Sequence, residues 1–356
     1  MITIEKFIYL LEYPFNILIL GTLIFGGPYN ETFYQYLPQK LYRLQTRLCE
    51  DPELTQQFYA SLGRRILKLL ISVFIFHATC VAFDVLCCDY NWLCTLHSNS
   101  IHNLPGLMIS LNLIQYAIAL HILWQLHVQL CDRLLVVKRL LNESFLPPTG
   151  YQKLLGAGYE KAFCAFVDGH KEMESRLTEA VQLLEMLRLT SATLDRLHSK
   201  LIGILGYVLL LNLCNSFFSF CVDFFAIYKF FEEPNWHSYA LFLYRVLWLI
   251  LHGGRIWLIL KGNERIVEQK CELCLLLNEL DICDKECERV INRFLLQLNA
   301  DEGHVVAACG VIDLDTLVLG GFIGALLAIV IFLIQIELGN NSLMGIALNK
   351  SEWNYF

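Results

Sequence analysis

Three ionisable side chains lie within long apolar stretches of the sequence, namely Asp84, Asp223 and Arg245. A charge inside a membrane segment is costly, and it is usually kept where it pairs with an opposite charge or faces a polar cavity. An arginine together with carboxylates is suited to binding a polar ligand. A structural ion pair, or side chains that reach toward the membrane surface, is an equally good interpretation.

The sequence lacks the short motifs that mark the common catalytic sites. These are the G-x-S-x-G turn of hydrolases, the H-E-x-x-H helix of zinc proteases and the G-x-x-x-x-G-K-[ST] phosphate loop. Each places a nucleophile, a metal or a phosphate group at a fixed geometry, and nothing else in the chain replaces them. We therefore expect neither enzymatic activity nor a bound cofactor.

Four of the 14 cysteines come nearest to a metal-binding pattern: Cys271, Cys274, Cys283 and Cys287. The cysteines of zinc sites usually sit in tight loops. Here leucines separate the two pairs and favour a helix, in which buried thiols are the more common arrangement. We therefore expect no metal site.

The segments that carry these residues are long and apolar. Of the 356 residues 56% are hydrophobic and 17% are charged, which excludes a disordered chain and makes a soluble enzyme improbable. A bilayer core requires about 20 apolar helical residues. Six stretches meet this length: 7–25, 66–88, 104–124, 201–228, 239–260 and 317–338. The first is the weakest because Glu12 and Pro14 interrupt it, and a signal peptide is the alternative there.

The basic residues are sorted to one side of these segments. Most of the 27 Lys and Arg residues fall in the connections 26–65, 125–200 and 261–316. The opposite side has Lys6, Lys229 and Lys350. Because basic loops remain in the cytoplasm, the pattern predicts an extracellular C-terminus. The glycosylation acceptors Asn340 and Asn349 lie in this C-terminal segment, which is compatible with an extracellular position. The cluster of Cys87, Cys88 and Cys94 also falls on the extracellular side, where a disulfide can form. The sequence leaves open which of these cysteines pair.

The long cytoplasmic connections carry apolar stripes at helical spacing. The clearest residues are Leu130, Leu134, Leu135, Leu141, Leu183, Leu184, Leu187, Leu194, Ile266, Leu273, Leu277, Ile291, Phe294 and Leu298. We expect these helices to extend the membrane spans and to pack together as a cytosolic anchor. Separate helices lying on the membrane surface are the alternative.

The last apolar segment differs from the others in two ways. Small residues follow one face and permit close helix approach: Gly320, Gly321, Gly324, Ala325 and Ala328. Gln335 then stands alone among Ile and Leu residues. An amide at this depth is suited to a water-filled axis shared by several subunits, and a hydrogen bond between two helices is an equally good interpretation.

The C-terminal quarter resembles the insect gustatory receptor family. The resemblance rests on the run Phe294-Leu295-Leu296-Gln297-Leu298, the run Ala308-Cys309-Gly310-Val311-Ile312-Asp313-Leu314-Asp315, and the final span with its Gln335. The family signature there is Thr-Tyr, five hydrophobic residues, Gln and Phe. Here Ala328-Ile329 and Ile336 replace the flanking residues, so the chain resembles a divergent member.

The resemblance implies a gustatory receptor that is a ligand-gated, non-selective cation channel opened by a small-molecule tastant. Its fold would be all-α, of the seven-helix insect chemoreceptor type, with six spans clear here and the first absent or shortened. Four identical or related subunits would surround a pore lined by the last span, with Gln335 in the pore and Phe332 and Ile336 as gate residues. The tastant would bind near Asp84, Asp223 and Arg245, and the receptor would lie in the plasma membrane of sensory neurons, in contact with lipid and with no nucleic-acid partner.

This interpretation divides the chain into six parts: N-terminal spans with part of the outer pocket (1–130), a cytosolic helical loop (131–200), a central pair of spans (201–260), a second cytosolic loop (261–316), the pore helix (317–338) and an extracellular tail (339–356). A G-protein-coupled receptor is one alternative, because Cys131-Asp132-Arg133-Leu134 is superficially similar to its D-R-Y box. A secondary transporter is another, although it would show paired halves with broken helices.

Overall fold

The computed structural model describes residues 4–49, 51–87, 91–145, 159–232, 236–280, 284–302 and 307–352. Long helices dominate them. In chain order the elements are α1 (Ile4–Leu48), α2 (Pro52–Cys87), α3 (Trp92–Ser98), a π-helical turn (Asn99–Asn103), α4 (Leu104–Phe145), α5 (Tyr159–Glu232), α6 (Trp236–Asn278), α7 (Lys285–Glu302), β1 (Ala307–Ala308), β2 (Ile312–Asp313) and α8 (Val318–Glu352). The expected all-α class is confirmed.

Among the described residues, five helical stretches are long and apolar enough to cross a membrane. They are Pro52–Leu86, Trp92–Asn142, Met173–Phe231, Leu241–Asn278 and Val318–Gly339. Each overlaps one of the expected spans. The expected span 7–25 lies in α1, but the side chains of residues 4–13 fall outside the described part. The helical stretch with the third expected span begins at Trp92, because α3, the π-helical turn and α4 follow one another without a break.

The apolar stripes of the long connections lie on the same helices as the spans. Leu130, Leu134 and Leu141 of α4 are buried, as are Leu184 and Leu187 of α5. Leu135, which we had placed in the stripe, is 39% exposed. The helices therefore extend beyond their apolar segments and pack against each other. We call this part, formed by the extensions of α1, α4, α5 and α6 together with α7, the base.

Close helix packing joins the spans to the base. A Cβ atom on Gly262 of α6 would lie 2.7 Å from Leu120 Cδ1 of α4, so the absence of a side chain lets these helices approach. In the next residue of α6, Asn263 Nδ2 donates to the Tyr116 hydroxyl of α4 at 2.7 Å, and the His198 ring of α5 lies 3.1 Å from Asn263 Oδ1. These buried groups satisfy one another where three helices meet.

A short hairpin connects the base to the last helix, and the sequence reasoning did not foresee it. Ala308 pairs with Ile312, and Val311 N donates to Ala308 O at 3.0 Å across the turn. Cys309 and Gly310 both have positive φ, 55° and 69°, as a type I′ turn requires. The hairpin packs on α5 at Gly206, where an added Cβ would lie 3.3 Å from Cys309 N. Gly206 thus provides the space for this contact.

Candidate functional site

Arg245 and Asp223 form an ion pair between α6 and α5. Arg245 Nη1 donates to Asp223 Oδ1 at 3.0 Å, and the side chains are 18% and 3% exposed. Since a carboxylate this buried needs a counter-charge, Arg245 stabilises Asp223 in its ionised form. Of the two acidic residues that could pair with Arg245, Asp84 and Asp223, the one that does so in the structure is Asp223.

Asp84 of α2 has different partners. The Asn103 amide donates to its Oδ2 atom, and the hydroxyls of Tyr244 and Ser98 are further hydrogen-bonding partners. The carboxyl is 4% exposed. Tyr244 directly precedes Arg245 in α6, so the three sequence-predicted residues occupy two neighbouring polar contacts rather than one cluster.

A second polar group lies deeper between α2, α4 and α6, and the sequence reasoning missed it. Arg255 is 4% exposed and donates to Gly106 O at 2.6 Å and to Ser110 Oγ at 2.9 Å. The His77 ring is also buried, and among the residues that the structure describes neither of its nitrogens has a hydrogen-bond partner. The signal was present, because Gly106 and Ser110 form a small-x-x-x-small pair that permits such an approach.

Two cavities can be described elsewhere, in the part of the chain that the structure covers. One, of about 330 Å³, lies between α1, α4 and α5 and includes the polar residues Asn30, Asn112 and Gln115. The other, of about 380 Å³, lies between α5, α6 and α8 and has apolar walls. Neither is lined by Asp84, Asp223 or Arg245, so the sequence-predicted ligand residues contact other protein groups in this conformation.

The last helix contacts the rest of the chain along one narrow face. Among the α8 side chains that the structure describes, Leu326 alone is buried. Phe322 packs edge-on against Phe217 of α5 with ring centroids 4.8 Å apart. Gln335 is exposed, as are Phe332 (60%) and Ile336 (36%). The three expected pore residues therefore lie outside the single-chain bundle.

Polar contacts hold this helix at its start and near its middle. Before its first turn, the Thr316 hydroxyl donates to Glu264 Oε1 of α6 at 2.7 Å, and Glu264 is also paired with Lys261 at 2.7 Å. The Lys261 ammonium lowers the pKa of Glu264, which therefore remains ionised. Near the middle of α8, Glu337 lies 3.2 Å from Lys229 of α5.

A buried ion pair stabilises the base. Lys270 of α6 lies 2.5 Å from Asp195 of α5, and the His127 ring of α4 is 3.8 Å from the same carboxyl. Burial opposes ionisation of Asp195, but the His127 ring and the Lys270 ammonium outweigh it and hold the pKa of Asp195 below its usual range. No local sequence pattern indicates this pairing, because the three residues are far apart in the chain.

The expected modification and metal sites can be located only in part. Cys94 is disulfide-bonded, but Cys88 and the side chain of Cys87 lie outside the described residues, so the pairing stays open.

The glycosylation acceptors Asn340 and Asn349 fall in the last turns of α8, where the side chains are likewise outside the description. Within the part of the chain that the structure describes, no three His, Cys, Asp or Glu side chains are placed to hold a metal ion; Cys283 is not in that part.

Long helices with five stretches able to cross a bilayer define a multi-span helical membrane protein. The family model described as 7tm chemosensory receptor matches residues 3–340. "Putative gustatory receptor 59e" of Drosophila melanogaster is 44% identical over 353 residues, which cover 99% of this chain and 85% of the relative. "Putative gustatory receptor 59f" of the same organism is 30% identical over 132 residues, or 37% of this chain and 32% of the relative. The chain belongs to the 7tm chemosensory receptor family, which confirms the resemblance found in the sequence.

Proposed function

We propose that this chemosensory receptor is a ligand-gated cation channel in which α8 of each of four subunits lines the pore. The observation that carries the proposal is the position of Gln335. Residues Phe322, Leu326 and Leu333 follow the bundle-facing side of α8. At about 100° per residue, Gln335 lies about 200° from Leu333, on the opposite side. An amide that faced lipid there would lack hydrogen-bond partners, whereas a water-filled axis would supply them.

The exposed side of α8 is also suited to packing against other subunits. Gly320, Gly321 and Gly324 are exposed there, and no described group outside the backbone of α8 lies within 4 Å of a Cβ added to them. Small residues permit close approach of helices within a membrane. Homo- or heteromeric assembly with related receptors would cover this face, which a single chain leaves open.

The tastant site of this proposal lies around Asp84, Asp223 and Arg245. Two buried carboxylates and an arginine, contributed by three different helices, offer a polar ligand charged partners near the outer ends of the spans. A ligand opens a channel only if it binds the open arrangement more tightly than the closed one. A polar tastant that competes with Asp223 for Arg245, or with Asp84 for Tyr244, would change the contacts between α2, α5 and α6. Its binding could then stabilise the open arrangement more than the closed one.

The proposed orientation has the base in the cytosol and the C-terminus outside the sensory neuron. The disulfide at Cys94 supports it, because disulfides form in the oxidising lumen and persist outside the cell. With the α2–α3 connection outside, the three remaining crossings through α4, α5 and α6 put the start of α8 inside and its end outside. Staining of a C-terminal epitope tag in intact cells tests this; staining only after permeabilisation would overturn it and favour a G-protein-coupled receptor.

Cysteine accessibility tests the pore assignment. In cells that express the receptor, Gln335→Cys should make the tastant-evoked current sensitive to a charged methanethiosulfonate reagent applied in the bath. Leu333→Cys, two residues away on the bundle-facing side, is the matched control and should stay insensitive. Equal sensitivity of the two variants, or sensitivity of Leu333→Cys alone, would remove Gln335 from the pore.

A further inference from the structure

The apolar cavity of about 380 Å³ has the last helix as one of its walls. Phe220 and Phe224 of α5 form a second wall, and Gly253 and Trp257 of α6 form a third. On α8, Phe322 and the nearby residues close the cavity. Any molecule in this space contacts both the last helix and the two helices that support it.

The cavity exists because one side chain is missing and because α8 packs on the bundle along a narrow face. A Cβ atom added to Gly253 would meet Phe220 Cζ at 3.6 Å, and a larger side chain there would enter the space. The floor is buried, with Ile256 4% and Leu326 8% exposed, while Trp257 and Leu327 on the rim are more than half exposed. The rim lies in the apolar stretches of α6 and α8, so the cavity opens toward hydrocarbon.

The chemistry of the walls restricts what can bind. Among the lining residues, Trp257 alone has a polar side-chain atom, its indole N–H. A sugar, amino acid or amine would lose its hydrogen bonds to water and find no replacement. Four aromatic side chains, those of Phe220, Phe224, Trp257 and Phe322, favour a ligand with a ring that can stack or pack edge-on. The volume is within the range of small-molecule sites, about 300–1,000 Å³.

We propose that this cavity is a binding site for an uncharged, ring-containing apolar compound that enters from the bilayer. It differs from the charged region around Asp84, Asp223 and Arg245, so the two sites would take different ligand classes. Aromatic walls distinguish it from a groove for a lipid acyl chain, which would be long and aliphatic. An effect of the bound compound on channel opening rests on the function proposed above. The binding of the compound to the cavity does not depend on that function.

Photolabelling tests the binding step without any measurement of current. The receptor is purified into phosphatidylcholine nanodiscs and labelled with 3-trifluoromethyl-3-(m-iodophenyl)diazirine, an uncharged aromatic probe, and the labelled residues are located by mass spectrometry. Phe322 and Leu326 should be labelled, and the labelling should saturate as the probe concentration rises. Phe74 of α2, which is 52% exposed, is the reference for simple partitioning and should show no saturation.

Two adjacent glycines provide the matched variants. Gly253→Leu would fill the cavity and should lower labelling of Leu326 about fivefold or more, because packed side chains leave no room for the probe. Gly254→Leu changes the same helix by the same side chain, but an added Cβ there has no neighbour within 4 Å, so labelling should match the wild type. If Gly253→Leu does not assemble, Val330→Trp fills the cavity from the α8 side.

Three results would overturn the proposal. Labelling of Leu326 that is equal in the wild type and the cavity-filled variant would show that the probe does not occupy this space. Absence of saturable labelling in the wild type would indicate that another subunit covers the rim. Stronger labelling of the floor by a phosphatidylcholine with a diazirine in its acyl chain would make a lipid the occupant. If currents are unaffected while labelling follows the prediction, the site stands and its link to gating fails.

Discussion

Arg245 of α6 and Asp223 of α5 are held 3.0 Å apart at a point where the carboxylate is 3% exposed. Breaking such a pair by removing one partner leaves a buried charge without compensation, which typically costs about 3–5 kcal/mol. The pair therefore joins the outer parts of two spans. Both residues also belong to the proposed tastant region, so their loss can affect folding and ligand response separately.

Arg245→Ala should impair the response to the tastant, the folding of the receptor, or both, because Asp223 loses its counter-charge. Surface expression and the dose–response curve are measured in the same cells. Asp223→Asn combined with Arg245→Gln is the control, since it removes both charges and keeps polar side chains of similar size. We expect the double variant to recover surface expression but not ligand sensitivity. An unchanged dose–response curve in Arg245→Ala would exclude this region as the tastant site.

Gln335→Ala should change the ion selectivity or the size of the evoked current without changing surface expression, because the amide would no longer face permeating ions. Reversal potentials in sodium- and potassium-based solutions measure the selectivity. Leu333→Ala, two residues away on the bundle-facing side of α8, is the control for a change in the same helix. Wild-type currents from Gln335→Ala would contradict the pore assignment.

The ion pair of Lys229 with Glu337 should influence the equilibrium between closed and open channels. The side chains are 32% and 22% exposed, and partly exposed pairs of this kind contribute about 0.5–1 kcal/mol. Lys229→Gln or Glu337→Gln should therefore shift the half-maximal tastant concentration about two- to fivefold. The charge-swapped double variant, Lys229→Glu with Glu337→Lys, should restore it. If the swap behaves as the sum of the two single changes, the contact does not act on gating.

His198 should make the receptor less stable at acidic pH. Burial lowers the pKa of His198 to about 4, whereas an unfolded histidine has a pKa of about 6.5. Between these values the unfolded chain binds a proton that the folded one does not. Stability is therefore complete above about pH 6.5 and falls as the pH approaches 4, by on the order of 3 kcal/mol for this one group.

The unfolding temperature of the solubilised receptor measures this effect. It should fall between pH 7.5 and pH 5 in the wild type and fall less in His198→Gln, which can still donate to Asn263 Oδ1 but does not titrate. His97→Gln is the control, since it removes an exposed histidine on α3. Parallel curves for the wild type and His198→Gln would contradict the assignment.

The helices could be predicted because apolar content and helical spacing extend over tens of residues, so that a local error does not change the outcome. The hairpin at Cys309 and Gly310 could not, because two strands of two residues each leave no periodic pattern. Tertiary packing, rather than the local sequence, fixes its place against Gly206.

The residues of the candidate site could also be predicted only in part. The sequence identified Asp84, Asp223 and Arg245 as unusual because each charge stands in an apolar stretch. The sequence did not indicate whether Asp84 or Asp223 would pair with Arg245, because the pairing depends on how α2, α5 and α6 cross. Asp84 is already engaged by Asn103 and Tyr244, which leaves Asp223 for the arginine. The partners of Arg255 were not predictable for a related reason, since Gly106 and Ser110 are nearly 150 residues away in the chain.

The unbroken course of α5 has a mechanical consequence. Its 74 residues, at about 1.5 Å each, make a rod of about 110 Å, several times the thickness of the hydrocarbon layer. A tilt of about 3° would carry its distant tip sideways by about 6 Å. A fluorophore introduced at that tip, or a cytoskeletal or scaffold protein bound there, would therefore respond to a movement at the opposite end of α5. That movement would be too small to detect at the opposite end itself.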